Sequence, residues 1–176
     1  MVQTSLSELL DIVDAKDQVT GVATRGEVHA HGLRHRSVHV LVFNSEGSVL
    51  LQKRSKHKDQ FAGMWDSSCA GHVEAGQSYL ETAPRELQEE LGFTPAEPLK
   101  FLFKMQPTPD NGHEFAMIYA IEHEGPFTAA PDEIDELRWF SCAQIDEWIN
   151  NPAVSDSPEL TGGFIEIWRR FREANA

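Results

Sequence analysis

GHVEAGQSYLETAPRELQEELGF, residues 71–93, decides how the rest of the chain is read. Its second half crowds Arg85, Glu86, Glu89 and Glu90 into six positions and closes on Gly92. Ser78 followed three residues later by Glu81 is a capping box, and Gly92 suits a C′ residue. The spacing predicts a helix from about Ser78 to Leu91, with Leu80, Leu87 and Leu91 as its core stripe. Pro84 removes an interior backbone hydrogen bond at about 3 kcal/mol, so a kink or a late start is expected. On this helix Glu86 and Glu90 lie one turn apart on one face, with Glu89 beside them. Like charges at that spacing repel by roughly 0.2–0.5 kcal/mol per pair, and a divalent cation is the natural remedy. Hard oxygen ligands suit Mg²⁺ or Mn²⁺ rather than zinc. Arg85 stands four residues from both Glu81 and Glu89 and is expected to pair with them. Residues 71–77 precede the helix N-terminus, where free N–H groups favour phosphate. A generic E-x-x-E-E cluster, however, is more often a solvated helix face with ordinary ion pairs.

Composition narrows the classes around this segment. The 176 residues suffice for one domain with a substantial core and are few for two. A hydrophobic content of 40% is that of a globular chain. The net charge of −13 argues against a nucleic acid polymer as partner, because affinity for its backbone comes from Lys and Arg displacing counterions. A small phosphorylated ligand stays allowed, provided cations and local basic residues offset the repulsion. Cys69 and Cys142 are the only cysteines and lie far apart, so no disulfide framework is expected and a reducing cytoplasm is the default. The N-terminus lacks a basic region followed by an apolar core, and no apolar run approaches the roughly 20 residues of a membrane span.

Taken in order, residues 11–24 read as a β-hairpin with a polar turn, followed by HAHGLRH with His29, His31 and His35 close together. Val38, Val40 and Val42 mark a strand, and the turn at residues 44–47 leads to a second strand from Ser48 to Arg54. KRSKHKD, residues 53–59, carries five basic or potentially basic residues, and Arg54 and Lys58 are candidate phosphate ligands within it. Residues 65–73 are expected to be extended. Phe101, Phe103 and Met105 alternate in a strand, residues 109–112 form a hairpin turn, and residues 115–121 form a strand buried on both faces. Residues 137–140 are a further strand, Ser141 with Gln144 caps a short helix, and Phe164, Ile165, Ile167, Trp168 and Phe171 make the apolar face of a terminal helix. The fold class is α/β, with a mixed central sheet covered by helices. Trp65 is expected in the core, and Phe61, Trp65 and Phe103 are the aromatic residues open to either core packing or stacking on a base.

The full spacing resembles the Nudix hydrolase family, whose signature is G-x5-E-x7-R-E-U-x-E-E-x-G-U, with U bulky and apolar. Gly71, Arg85, Glu86, Leu87, Glu89, Glu90, Gly92 and Phe93 fall in register with it. At average residue frequencies the match arises by chance on the order of once in ten million start positions. The resemblance implies an α/β/α sandwich over a single domain, residues 1–176, with residues 1–30 as a hairpin extension and residues 71–93 as the signature segment. It further implies Mg²⁺, or Mn²⁺, held by Glu86, Glu89, Glu90 and the backbone near Gly71. Arg85 has a catalytic-site role in that scheme, and water attacks a small-molecule diphosphate with Glu89, Glu90 or Glu114 as the base. A homodimer is plausible for the family. Gln77 departs from the pattern, which has its first glutamate there; Gln77 can still hydrogen-bond Arg85, but without full charge.

Outside that segment the chain is similar to the isopentenyl diphosphate isomerase branch of the same superfamily. That alignment puts His29, His35, His72 and Glu114 on metal-ligand positions and Arg54 and Lys58 on diphosphate-binding ones. His35 and His72 can accordingly be read as ligands of a second metal or as polar residues near a phosphate. The isomerase also needs a cysteine just before its Gly-His pair, where this chain has Ala70, with Cys69 one residue early. In an extended segment one residue reverses the face, so Cys69 is expected to point away from the site. Hydrolysis of a nucleoside diphosphate derivative or other small organic diphosphate is therefore the leading reading. Isomerisation of isopentenyl diphosphate, and a ligand-binding domain without catalysis, are the alternatives.

Overall fold

The structure, a computed structural model, describes residues 6–151 and 158–176. Strands β1 (Leu9–Val13) and β2 (Val19–Thr24) form an antiparallel hairpin. Its turn is built by Asp14, whose Oδ1 accepts from Lys16 N at 2.8 Å and Gln18 N at 3.0 Å. Helix α1 (Arg25–His31) follows at once. The order continues β3 (His35–Phe43), β4 (Val49–Arg54), β5 (Trp65–Asp66), β6 (Cys69–His72), α2 (Tyr79–Leu91) and β7 (Lys100–Met105). A 3-10 turn (Pro109–Asn111), β8 (Glu114–Glu122), β9 (Ile134–Phe140), α3 (Cys142–Asn150) and α4 (Gly162–Ala174) complete it.

The main sheet is mixed: β5-β4-β3-β8-β7 run side by side, β6 pairs with β3, and β9 pairs with β4. β3 and β8 are parallel over nine residue pairs, from His35↔Glu114 to Phe43↔Glu122. β3 meets β4 only at Val42 and Phe43, then diverges, and β6 takes over the same edge from Val40 back to Ser37. Ser68 closes the fork, since its Oγ accepts from Val42 N at 2.7 Å and donates to Leu50 O.

Strand periodicity divides the core in two. Val38, Val40 and Val42 pack with Leu87 and Leu91 of α2, whereas Leu41, Met105, Ala116 and Ile118 pack with Phe164, Ile167 and Trp168 of α4. The sheet thus lies between helix layers, an α/β/α sandwich. Trp65 and Phe103 belong to the α4-side core.

Helix α2 forms as the sequence requires: Ser78 caps it reciprocally with Glu81, and Gly92 ends it at φ 74°. Two expectations change. The helix begins at Tyr79 with Pro84 inside it, so there is no late start. Leu80 is 74% exposed and supplies nothing to the core. The first turn is anchored instead through Tyr79, whose hydroxyl donates to Asp17 at 2.9 Å, and Thr82, which bonds Ser78 O at 2.9 Å; the buried stripe runs Ala83, Leu87, Leu91. Along β7 the expected alternation is interrupted between Phe101 and Phe103, which oppose Tyr119 and Ile118, consecutive residues of β8. That irregularity turns the two rings to opposite faces and leaves Phe101 53% exposed.

Among the described residues no helix is long and apolar enough to cross a membrane. Cys69 and Cys142 are both free thiols.

Candidate active site

Glu86 and Glu90 project from α2 past the edge strand β6 into a cavity of about 1140 Å³. Gly71 makes this possible. A Cβ at that position would lie 2.0 Å from Glu86 Cδ, so only glycine lets the carboxylate rest against the strand. Glu90 accepts from Gln52 Nε2 at 3.0 Å and from Ala70 N at 3.2 Å. Glu86 meets Arg85 Nη2 at 2.9 Å. Both carboxylates are buried, and among the described residues only Glu86 has an ion-pair partner, Arg85. Burial, then the neighbouring Glu90 carboxylate, pushes Glu86 up to about 8. Burial raises Glu90 as well, against the hydrogen bond from Gln52. Two buried acids that resist ionisation together form a site suited to a divalent cation, and their oxygen donors fit Mg²⁺ or Mn²⁺.

Arg85 is the hub of this wall. Its Nη1 lies 2.9 Å from Glu89 and 3.3 Å from Glu74, Nε donates to Gln77 Oε1 at 3.3 Å, and Nη2 also reaches His72 O at 3.3 Å. The expected partner Glu81 is not among these, because its carboxylate is spent on the Ser78 backbone and hydroxyl. Gln77 does bond Arg85, and Glu74, which the sequence did not single out, supplies a charge beside it. The loop carrying both is held from outside by the hairpin: Ala75 N donates to Leu9 O at 2.8 Å and Gly76 N to Asp11 Oδ2 at 3.1 Å.

A second constellation lines the same cavity. His29 from α1, His35 from β3 and His72 from β6 bring one nitrogen each within 4.8 Å of one another. Glu114 Oε1 sits 3.4 Å from His35 Nε2 and 3.3 Å from His72 Nε2. His35 Nδ1 donates to Leu33 O at 2.9 Å, which turns Nε2 inward, and His29 Nδ1 bonds Asp59 at 3.2 Å. The Nε2 atoms of His29 and His35 are buried, and among the described residues neither makes a well-aligned hydrogen bond, His35 Nε2 having only the 3.4 Å ion-pair contact with Glu114. Burial drives His72 down to about 4, so its ring is neutral at physiological pH. Burial opposes ionisation of Glu114, but its contacts with His35 and His72 outweigh that and hold it well below the usual carboxylate range. Three imidazoles beside an ionised carboxylate are a ligand set for a transition-metal or zinc ion.

At the rim, Arg54 donates to Gln60 O through Nε at 3.3 Å and Nη2 at 3.2 Å, and Lys58 is paired with Glu133. Both line the cavity, so the basic segment does face the site, with its charges partly neutralised. Phe61 is 45% exposed on the same rim, while Trp65 and Phe103 are taken up by the core. Every candidate site residue from the sequence lines this cavity except His35, which touches it through the histidine cluster. Glu74, Gln52, Asp59 and Glu133 are the additions. None of these four had a local signal, whereas α1, which carries His29, had one in the Thr24–Glu27 capping box.

Cys69 pairs across from Val40 and packs under α2, and burial pushes its thiol well above its usual range. Ala70 pairs with His39, on the cavity side. The one-residue offset therefore turns the thiol off the cavity lining and toward α2, beside Glu90.

Comparison with known proteins agrees with this architecture. The NUDIX domain family matches residues 33–160. An isopentenyl-diphosphate Delta-isomerase of Serratia proteamaculans is 37% identical over 175 residues, covering 94% of this chain and 98% of that protein. An uncharacterized Nudix hydrolase of Yersinia pestis is 37% identical over 141 residues, covering 78% of this chain and 75% of its own length. Among solved structures, DR0079 from Deinococcus radiodurans superposes with a TM-score of 0.79 at 26% identity, over 93% of this chain and 98% of its own. With the signature glutamates gathered on one cavity wall and the family matching most of its length, the chain belongs to the Nudix hydrolase family.

Proposed function

We propose that this protein is a divalent-cation-dependent hydrolase that cleaves a diphosphate linkage in a nucleoside diphosphate derivative or another small organic diphosphate. The observation that carries the reading is the Glu86–Glu90 pair, buried on the cavity wall with Arg85, on Glu86, as its one ion-pair partner among the described residues. Glu86, Glu89, Glu90 and the Gly71 carbonyl would hold Mg²⁺ or Mn²⁺, which would supply positive charge against the diphosphate and make the attacking water more acidic. Arg85 keeps Glu86 and Glu89 in position. Glu89, with a side chain 57% exposed, and Glu114, held ionised, are the candidates to take the proton from water attacking in line with the leaving oxygen. Arg54 and Lys58 would receive phosphate oxygens by giving up Gln60 O and Glu133, and His35 and His72 would lie against the same group. In this reading residues 1–176 act as one cytoplasmic unit on a small molecule, with a homodimer compatible. A panel of nucleoside diphosphates and triphosphates, sugar nucleotides, dinucleoside polyphosphates and prenyl diphosphates, assayed with Mg²⁺, tests it. Phosphate-bond cleavage in none of them would overturn the assignment.

Isomerisation of isopentenyl diphosphate is a second reading, favoured by the clustered His29, His35, His72 and Glu114 and by the isomerase-named relative. Against it stands Ala70, with no ionisable side chain, where the cavity wall would need the thiol. Incubation with isopentenyl diphosphate separates the two by whether an isomer or released phosphate appears.

A further inference from the structure

Toward the mouth of the cavity the lining changes from charged to apolar. Of the seven large apolar side chains that stand exposed among the described residues, Leu6, Leu9 and Phe61 all line this one cavity. Exposed apolar residues scattered singly need no explanation, whereas three gathered on one concave rim do. They come from segments far apart in sequence, and Arg25 ties those segments together. Its buried guanidinium lies 3.7 Å from Glu8 and 3.1 Å from Asp59, and its backbone N–H donates to Glu8 O at 2.7 Å. Glu8 stands between Leu6 and Leu9, and Asp59 two residues before Phe61.

Phe61 is also held in a strained backbone. Its φ is 53°, in the left-handed region that suits glycine and is unfavourable for a bulky side chain. The loop fixes it there: Phe61 O accepts from Met64 N at 3.2 Å, Gly63 N donates to Arg54 O at 3.0 Å, and Arg54 N donates to Met64 O at 2.8 Å. A glycine at 61 would make the same turn without strain, and a ring left exposed gives the core little in return. Strain kept at the rim of a cavity points to a ligand contact. Lys58, which the hydrolase reading gives to phosphate, lies three residues earlier on the same loop, at most about 10 Å along the chain. An organic group attached to that phosphate leaves the charged interior past the Phe61 ring. The ring offers a π-face on which a planar base can stack, and Leu6 and Leu9 add aliphatic surface to the same mouth.

We infer that Phe61, with Leu6 and Leu9 beside it, forms an apolar lip on which a planar aromatic group of the substrate stacks while the diphosphate lies deeper in the cavity, so that Phe61 is a specificity-determining residue. The inference rests on the diphosphate-hydrolase reading and assigns the residues that take the organic group. Its test uses two probes that resist cleavage, α,β-methylene-ADP and methylenediphosphonate, which share the anionic end and differ in the organic group. Their binding in Mg²⁺ is measured by calorimetry for the wild type, Phe61→Ala, Phe61→Leu, Phe61→Gly, Phe61→Trp and Leu9→Ala, with melting temperatures alongside. The wild type is expected to bind α,β-methylene-ADP at least about tenfold more tightly than methylenediphosphonate. Phe61→Ala and Phe61→Leu should each cut that preference by about three- to tenfold, Leu9→Ala by less, and Phe61→Trp should keep it. Phe61→Gly should lose the preference yet hold the wild-type melting temperature, because the strain goes with the ring. A preference that survives in Phe61→Ala and Phe61→Leu, or a wild type that binds both probes equally, would overturn the lip and leave the hydrolase reading standing. A lower melting temperature in Phe61→Gly with the preference kept would likewise overturn it, showing that the ring serves packing. Loss of the preference in the variants, with no diphosphate of the wider panel cleaved by the wild type, would remove the hydrolase reading and keep the lip. Binding of neither probe would overturn the lip, while the panel decides the hydrolase.

Discussion

Two buried acid clusters in this molecule are built in opposite ways. At the tip of the hairpin, Asp17 receives Arg36 Nε at 2.6 Å, the Tyr79 hydroxyl at 2.9 Å and the Lys104 ammonium. One carboxylate faces two cations and a phenol, drawn from the hairpin, β3, α2 and β7. Burial opposes its ionisation, but the bonds from Lys104, Arg36 and Tyr79 outweigh it and hold Asp17 below its usual range. At the other end of α2, Glu86 has Arg85 as its ion-pair partner and Glu90 has none among the described residues, and both are pushed upward by burial. The first cluster is electrostatically closed and ties four elements together. The second is left short of positive charge on a cavity wall, an arrangement that costs stability and makes sense as a receptor for a cation.

The contrast breaks most sharply at Glu90. Glu90→Gln is expected to lower kcat with Mg²⁺ at least about a hundredfold, near 2.7 kcal/mol of barrier. The melting temperature in EDTA at pH 8 should hold or rise, because one of two repelling charges is gone. Near-normal turnover in this variant and in Glu89→Gln would end the catalytic assignment. Asp17→Ala should do the reverse. It strands Arg36 and Lys104 and is expected to cost about 3 kcal/mol in urea unfolding, while kcat per folded molecule stays within a factor of about two.

Acidity sharpens the same comparison. The Asp17 carboxyl titrates lower in the folded state than its unfolded 3.8, so its contribution is present above that pH and lost as pH falls through the folded value. Glu86 rises from 4.5 to about 8 on folding, so its contribution is full below 4.5 and disappears as pH climbs through about 8. Thermal melts in EDTA should therefore decline between pH 5 and pH 8.5. The decline should be shallower in Glu86→Gln and opposed by added Mg²⁺. A melt that is flat over this range in the wild type would mean Glu86 is compensated after all.

What the sequence disclosed follows the range of the interactions. The helix at residues 79–91, its Ser78 and Gly92 caps and the acidic face were legible because each depends on neighbours within one turn. The clustering of His29, His35 and His72 was accessible only through family resemblance, since the three come from α1, β3 and β6. The Asp17 cluster was invisible, because no spacing links residues 17, 36, 79 and 104. Leu80 was misjudged because i+7 spacing says which face a residue takes, not whether anything packs there. The break in β7 went unseen because a bulge is set by partner strands rather than by composition.

The smallest expected effect concerns Gln77, where the family pattern has glutamate. Gln77 Oε1 accepts from Arg85 Nε and from Thr82 Oγ1, both at 3.3 Å, and its Nε2 reaches Glu74 Oε2 at 3.4 Å. A glutamate here would keep the first two contacts, lose the third and set a second carboxylate against Glu74. Since Glu74 already stands 3.3 Å from Arg85, the charge that the pattern puts at 77 is supplied from 74. Gln77→Glu alone should therefore change kcat/KM by less than about threefold, whereas Glu74→Gln should lower it more, and the double variant should recover most of that loss. Steady-state kinetics of the three variants checks this. A tenfold gain in Gln77→Glu would show instead that Glu74 does not stand in for the missing acid, and that Arg85 is held too loosely in the natural chain.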